Sequence, residues 1–177
     1  MFKRFGLFLI AALFSLQVFA IPPVIEKIAS LKSDSGTFIQ MKTLSDVGVT
    51  LTSSGEFKFE KGKFFEWKTL KPMEGSFTAT PEEYVSSIKG GKTSKRPLSK
   101  IKMSNAMKAL IDGDVSVLEE VFKLKISDKS ITAYPKTREL SEFVDSFTIE
   151  LDDNAKPVRF VMTFTNSDVL DIVLKRK

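Results

Sequence analysis

Apolar and polar positions alternate along most of this chain. In "GVTLTSSGEFKFE" (48–60), Val49, Leu51, Phe57 and Phe59 fall on every second position. Val158, Phe160, Met162 and Phe164 repeat the pattern in "VRFVMTFT" (158–165), as do Phe147, Ile149 and Leu151 in "SFTIEL" (146–151). A period of two is the mark of a strand with one buried face. Similar runs at 37–44, 63–70, 75–80, 83–88, 122–128, 130–135 and 169–176 predict further strands. Lys71-Pro72, Glu74-Gly75, Thr80-Pro81, "DDNAKP" (152–157) and "NSD" (166–168) supply the turns between them. The runs at 122–128 and 130–135 read as one hairpin, and the last three runs as a closing meander.

Helical spacing is confined to three places. Val24, Ile25, Ile28 and Leu31 recur at intervals of one turn, with Pro22-Pro23 before them and Gly36 after, which predicts an amphipathic helix in 21–36. Met103, Met107, Leu110 and Ile111 form a stripe in "SKIKMSNAMKALIDGD" (99–114), ended by Gly113. A third short helix is predicted over 114–122. The sum is an α+β protein, a large curved antiparallel sheet with two to three helices, in one domain without internal repeats.

The stretch "GEFKFEKGKFFEW" (55–67) holds Phe57, Phe59, Phe64, Phe65 and Trp67 among charges. A hairpin with the three-residue loop Lys61-Gly62-Lys63 sets Phe59 opposite Phe65 and Phe57 opposite Trp67, all on one face. Lys58 and Glu66 then meet on the other. A two-residue turn would split the aromatics between faces. Two meanings stay open for such stripes. The sheet can close on its helices around an ordinary core. Alternatively it curls without collapsing and leaves a cavity lidded by the Met-bearing helix, where Phe and Met linings suit flexible chains.

The first twenty residues, "MFKRFGLFLIAALFSLQVFA", combine Lys3 and Arg4, an apolar run from Phe5 to Phe14 and a small residue at Ala20. They predict a secretory signal peptide cleaved after Ala20; an uncleaved anchor is the alternative, though the apolar run is short for a span. The mature domain is then 21–177. Removing Lys3 and Arg4 lowers the net charge from +5 to +3, too mild to argue for nucleic acid. With no cysteine, the exported chain must hold together without disulfides. With no histidine, it lacks the commonest general base and metal ligand. No metal or cofactor is expected, and no enzyme.

Three patterns in the sequence bear on chemistry. Ser99-Lys100-Ile101-Lys102 matches S-x-x-K, but nothing resembling S-D-N or K-T-G accompanies it. The acidic pairs Glu82-Glu83, Glu119-Glu120 and Asp152-Asp153 fall at predicted turns or an exposed helix face, which suits solvated surface better than glycosidase chemistry. The basic segment "KGGKTSKRPLSKIK" (89–102) reads as a solvated loop, or as a contact for an acidic partner or anionic headgroups through Lys92, Lys95 and Arg96.

Residues 36–72 resemble the LolA-type outer-membrane lipoprotein carrier family. Phe38-Ile39-Gln40 matches its F-x-Q strand, Gly55 its glycine-bearing strand, Phe65-Glu66-Trp67 its aromatic-x-Trp strand, and Pro72 its proline five residues beyond. Past Tyr84 the match is in element order alone. The resemblance implies an unclosed β half-barrel with helices over an apolar cavity. It implies a monomeric periplasmic shuttle that takes acylated lipoproteins, or another lipid, from an ATP-driven inner-membrane transporter to an outer-membrane receptor. Phe65 matches the family's cargo-linked Phe. Lys61 matches an Arg that latches the helical lid, and keeps the charge without the planar fork. "TPEE" (80–83) departs from the family's usual turn. The expected lipid-contacting set is Leu51, Phe57, Phe59, Phe65, Trp67, Met103, Met107, Leu110, Phe160, Met162 and Phe164. A second possibility is a non-catalytic envelope assembly protein that offers an open sheet to protein partners.

Overall fold

Eleven antiparallel strands follow one another through a single sheet in the computed structural model, which describes residues 23–100 and 114–176. The predicted signal peptide, most of the predicted helix at 99–114, and Met103, Met107 and Leu110 lie outside the described residues. The strands are β1 (Ser33–Leu44), β2 (Val49–Glu60), β3 (Phe64–Lys71), β4 (Gly75–Ala79), β5 (Glu83–Ile88), β6 (Ser94–Pro97), β7 (Phe122–Ile126), β8 (Ser130–Pro135), β9 (Val144–Leu151), β10 (Pro157–Phe164) and β11 (Val169–Arg176). Three short helices accompany them: α1 (Pro23–Ala29), α2 (Val115–Val121) and α3 (Arg138–Ser141).

The sheet order is β6-β5-β4-β3-β2-β1-β11-β10-β9-β8-β7. Every neighbour is also a neighbour in sequence except β1 and β11, which join the two ends of the chain. Two meanders, β1–β6 and β7–β11, therefore meet along one seam. β6 and β7 remain free edges, so the sheet is unclosed, as predicted.

The 55–67 hairpin takes the predicted register. Phe59 faces Phe65, Phe57 faces Trp67, and Lys58 faces Glu66, around a loop at 61–63 with Gly62 at φ +72°. Two expectations need correction. The first helix ends at Ala29, and Gly36 lies within β1 instead of stopping a helix. A Cβ on Gly36 would stand 2.2 Å from the Lys175 carbonyl, so glycine there permits close approach of β11. The basic segment is not all loop either: Ser94–Pro97 pairs with β5 as an edge strand, and Lys95 bonds Glu83 at 2.5 Å.

Candidate functional site

The even-numbered residues of β1 and, from Gly55 through Thr69, the odd-numbered residues of β2 and β3 share one face, because register keeps paired side chains on one side. Aromatic rings line up there across strands. Phe38 of β1 stacks on Trp67 of β3 with centroids 3.8 Å apart, although β2 lies between them. Gly55 makes this possible. It sits opposite Phe38, and a Cβ would come within 2.8 Å of the Phe38 ring and 1.9 Å of the Lys68 carbonyl. The missing side chain leaves a slot through which the ring crosses β2. Trp67 then neighbours Phe65 and Phe77, and Phe77 stacks on Tyr84 at 5.7 Å. From the other meander, Phe147 stacks on Phe160 at 5.8 Å.

Between these two sets of rings lies an apolar cavity of about 320 Å³. That is the small end of the 300–1,000 Å³ or so common for ligand sites. Phe57, Phe59, Phe65, Trp67 and Phe77 line it from the first meander; Phe147, Phe160, Ile172 and Leu174 line it from the second. Among the described residues, Asp34 is the one ionisable residue in its wall. Arg176 neutralises it: Nε and Nη2 donate to both carboxylate oxygens at 2.8–3.1 Å, and Nη2 also donates to the Pro157 carbonyl at 2.7 Å. A charge that stayed unpaired beside so apolar a wall would be costly to desolvate.

Lys61 leaves the hairpin loop and donates from Nζ to the carbonyl of Ala29 at 2.6 Å, while its backbone N–H donates to Lys32 at 2.8 Å. Ala29 is the last residue of α1, where carbonyls lack helical partners and the helix dipole favours a cation. Lys61 thus ties the hairpin loop to the end of α1 through a single side-chain hydrogen bond.

Of the predicted lipid contacts, Phe57, Phe59, Phe65, Trp67 and Phe160 come together around the cavity. Met162 pairs with Leu170 and Phe147, on the Phe160 side of β10 but beyond the cavity wall. Phe164 lies past a register shift, with the Lys42 ammonium 5.6 Å from its ring centroid. Leu51 shares the face of Phe57, six residues toward the other end of β2, where it is 54% exposed. Phe77, Phe147, Ile172, Leu174 and Asp34 line the cavity outside the predicted set, and Phe38 stacks on Trp67 beside it. The alternation of "GSFTAT" and "VLDIVLKR" carried the signal for Phe77, Ile172 and Leu174; for Asp34 nothing in the sequence did.

The outer face carries a second cluster. Arg159 reaches Asp171 with Nε at 2.9 Å and Nη2 at 2.8 Å, and Glu150 with Nη1 at 3.1 Å. Those hydrogen bonds raise the arginine above its ordinary value and hold the Asp171 carboxyl below the usual range, against the opposing pull of desolvation. Two of the acidic pairs have structural partners. Asp152 accepts the amides of Asn154 and Lys156, Asp153 pairs with Lys129 at 2.8 Å, and Glu83 with Lys95. Among the described residues no group of carboxylates is arranged to hold a metal ion. No helix among them is long and apolar enough to cross a membrane.

No family model matches the sequence, and no curated protein matches it. Solved structures similar to the chain include a LolA superfamily protein from Nitrosomonas europaea, at 8% identity and TM-score 0.47, over 86% of this chain and 90% of the other. A domain described as an outer membrane lipoprotein-sorting protein, from Vibrio parahaemolyticus, gives 7% and 0.45 over 85% and 87%. A DUF1329 family protein from Desulfovibrio piger gives 6% and 0.45 over 85% and 87%. Likeness this loose is no argument about function; the cavity is.

Proposed function

We propose that residues 21–177, exported by a cleaved signal peptide, form a periplasmic carrier for acyl chains. Lipoproteins, or a related lipid, are its cargo, moved from the inner to the outer membrane. One observation carries this reading: a cavity walled by aromatic and aliphatic side chains from both meanders, in which the Asp34 carboxylate is already neutralised by an arginine. Such a wall favours hydrocarbon over any polar ligand. Each buried methylene contributes about 0.8 kcal/mol, offset in part by the cost of ordering the chain. The carrier works as a monomer. It loads from an ATP-driven transporter and unloads to a receptor with a better apolar site, with no reaction of its own.

Native mass spectrometry of the protein, released from the periplasm without detergent, tests this. A reproducible added mass that extracts as acylated material is the expected result. Phe65→Glu puts a charge into the cavity wall and should abolish that added mass while leaving circular dichroism unchanged. A protein that stays bare after incubation with acylated lipoproteins and with free lipids overturns the reading.

The second reading, an assembly protein using open sheet edges, draws on the free edges β6 and β7. Both are ill suited to adding a strand. β6 is four residues, Ser-Lys-Arg-Pro, and β7 carries Lys123 and Lys125. Short length, proline and lysine are the usual protections against edge pairing.

A further inference from the structure

Large apolar side chains are exposed mainly at one end of the sheet. Of nine such residues among those described, six belong to the β1–β2, β3–β4 and β5–β6 turns and the strand ends beside them: Val47, Val49, Leu51, Leu70, Met73 and Ile88. Val47 is 66% exposed and Met73 61%. Antiparallel order puts these three turns at the same end, opposite the 61–63 loop, α1 and the Asp34–Arg176 pair. The β1–β2 hairpin also outreaches its neighbour. β3 stops at Lys71, opposite Ser54, so 49–53 runs on roughly 16 Å, at about 3.3 Å per residue, without a β3 partner.

The same segments are basic. Lys42, Lys71, Lys89 and Lys92 stand against Asp46 and Glu74, and Glu74 is bonded to Lys89 at 2.9 Å. Among the described residues nothing covers these six, and apolar side chains exposed together at one end of a sheet mark an interaction site. From these observations we infer that this end of the sheet is a docking surface for an anionic bilayer. The β1–β2 tip and Met73 enter the headgroup region, and the lysines meet lipid phosphates. The dispersion of the apolar residues favours a bilayer over a protein: they are spread over three separate turns amid lysines. A fluid headgroup layer needs no matching shape, and each lysine near an anionic surface strengthens binding about fivefold. Leu51 thereby acquires a role outside the cavity.

This inference stands apart from the cavity, and vesicle flotation tests it. The processed protein recovered from expressing cells should float with vesicles of phosphatidylglycerol mixed with phosphatidylethanolamine, and not with phosphatidylcholine alone. Added salt should weaken the binding. Val47→Asp with Met73→Asp should lower recovery severalfold. Lys71→Glu with Lys92→Glu should lower it about tenfold or more. All four positions are solvent-exposed, so an unchanged thermal midpoint is expected and is checked alongside. Phe65→Glu should float like the parent, which separates loss of cargo from loss of docking. Failure to bind anionic vesicles, or recovery unchanged in both double variants, overturns the inference. Capture of a purified envelope protein by these turns, with vesicles left unbound, overturns it in favour of a protein partner.

Discussion

Gly55 shows how one missing side chain organises the site. The Phe38 ring occupies the space above it to reach Trp67, and the Lys68 carbonyl approaches its α-carbon from β3. Gly55→Ala must displace the ring, the β3 backbone, or both. We expect a loss of about 2–3 kcal/mol in denaturant unfolding, the range for overpacking at a closed site. Trp67 is the chain's one tryptophan, so its near-ultraviolet dichroism reports the stack directly. An unchanged spectrum with unchanged stability would refute this account. Asp171 gives a residue-scale prediction in pH. Its folded value is lowered by Arg159, so its stabilisation is complete above the unfolded carboxylate value, about 3.9. It is lost as pH falls through the lower folded value. Asp171→Asn should cost only about 1 kcal/mol at neutral pH, because Arg159 is 40% exposed and solvent screens the pair. The variant should also flatten the acid limb of stability. An acid limb identical to the parent's would show that other carboxylates govern it.

At the scale of elements, α1 depends on a neighbour for its end. Seven residues make a marginal helix. Ile25 is buried at 4% exposure, and the Lys61 ammonium caps the Ala29 carbonyl. Lys61→Met should raise amide exchange across 23–29 and cost about 0.5–1 kcal/mol; Lys61→Arg should keep the cap. Exchange at 23–29 unaffected by Lys61→Met would remove the latch. The strands themselves were legible because alternation and turn chemistry agreed, and the 61–63 loop settled the aromatic register. Elements whose cause lies elsewhere in the chain were not. Gly36 resembles a helix stop in sequence, yet serves a contact with Lys175, which lies 139 positions away in the sequence of 177. Ser94–Pro97 has no apolar period and is a strand only because β5 offers a ladder. Arg138–Ser141 is one turn, too short for any period to show. Asp34 joined the cavity wall through pairing with Arg176, a relation between chain ends that spacing does not reveal.

The whole molecule is two meanders sharing one seam. β1 and β11 pair over eight positions from Gly36 to Thr43, and the Asp34–Arg176 pair closes one end of that seam. The cavity straddles it, with Trp67 and Phe77 on one side and Phe147 and Phe160 on the other. Hydrocarbon in the cavity would touch both halves at once, whereas empty they communicate chiefly through one strand pair. Saturating the protein with an acylated ligand at one hundred times its dissociation constant should therefore stabilise it by about 2.7 kcal/mol. Slowed hydrogen exchange should appear in β3 and β4 together with β9 and β10, strands that have no contact in the sheet order. Phe160→Ala, which removes a ring from the second meander alone, should then weaken ligand-dependent protection in β3 as well. Protection confined to one meander would mean that the ligand lies against one wall and the seam carries no coupling.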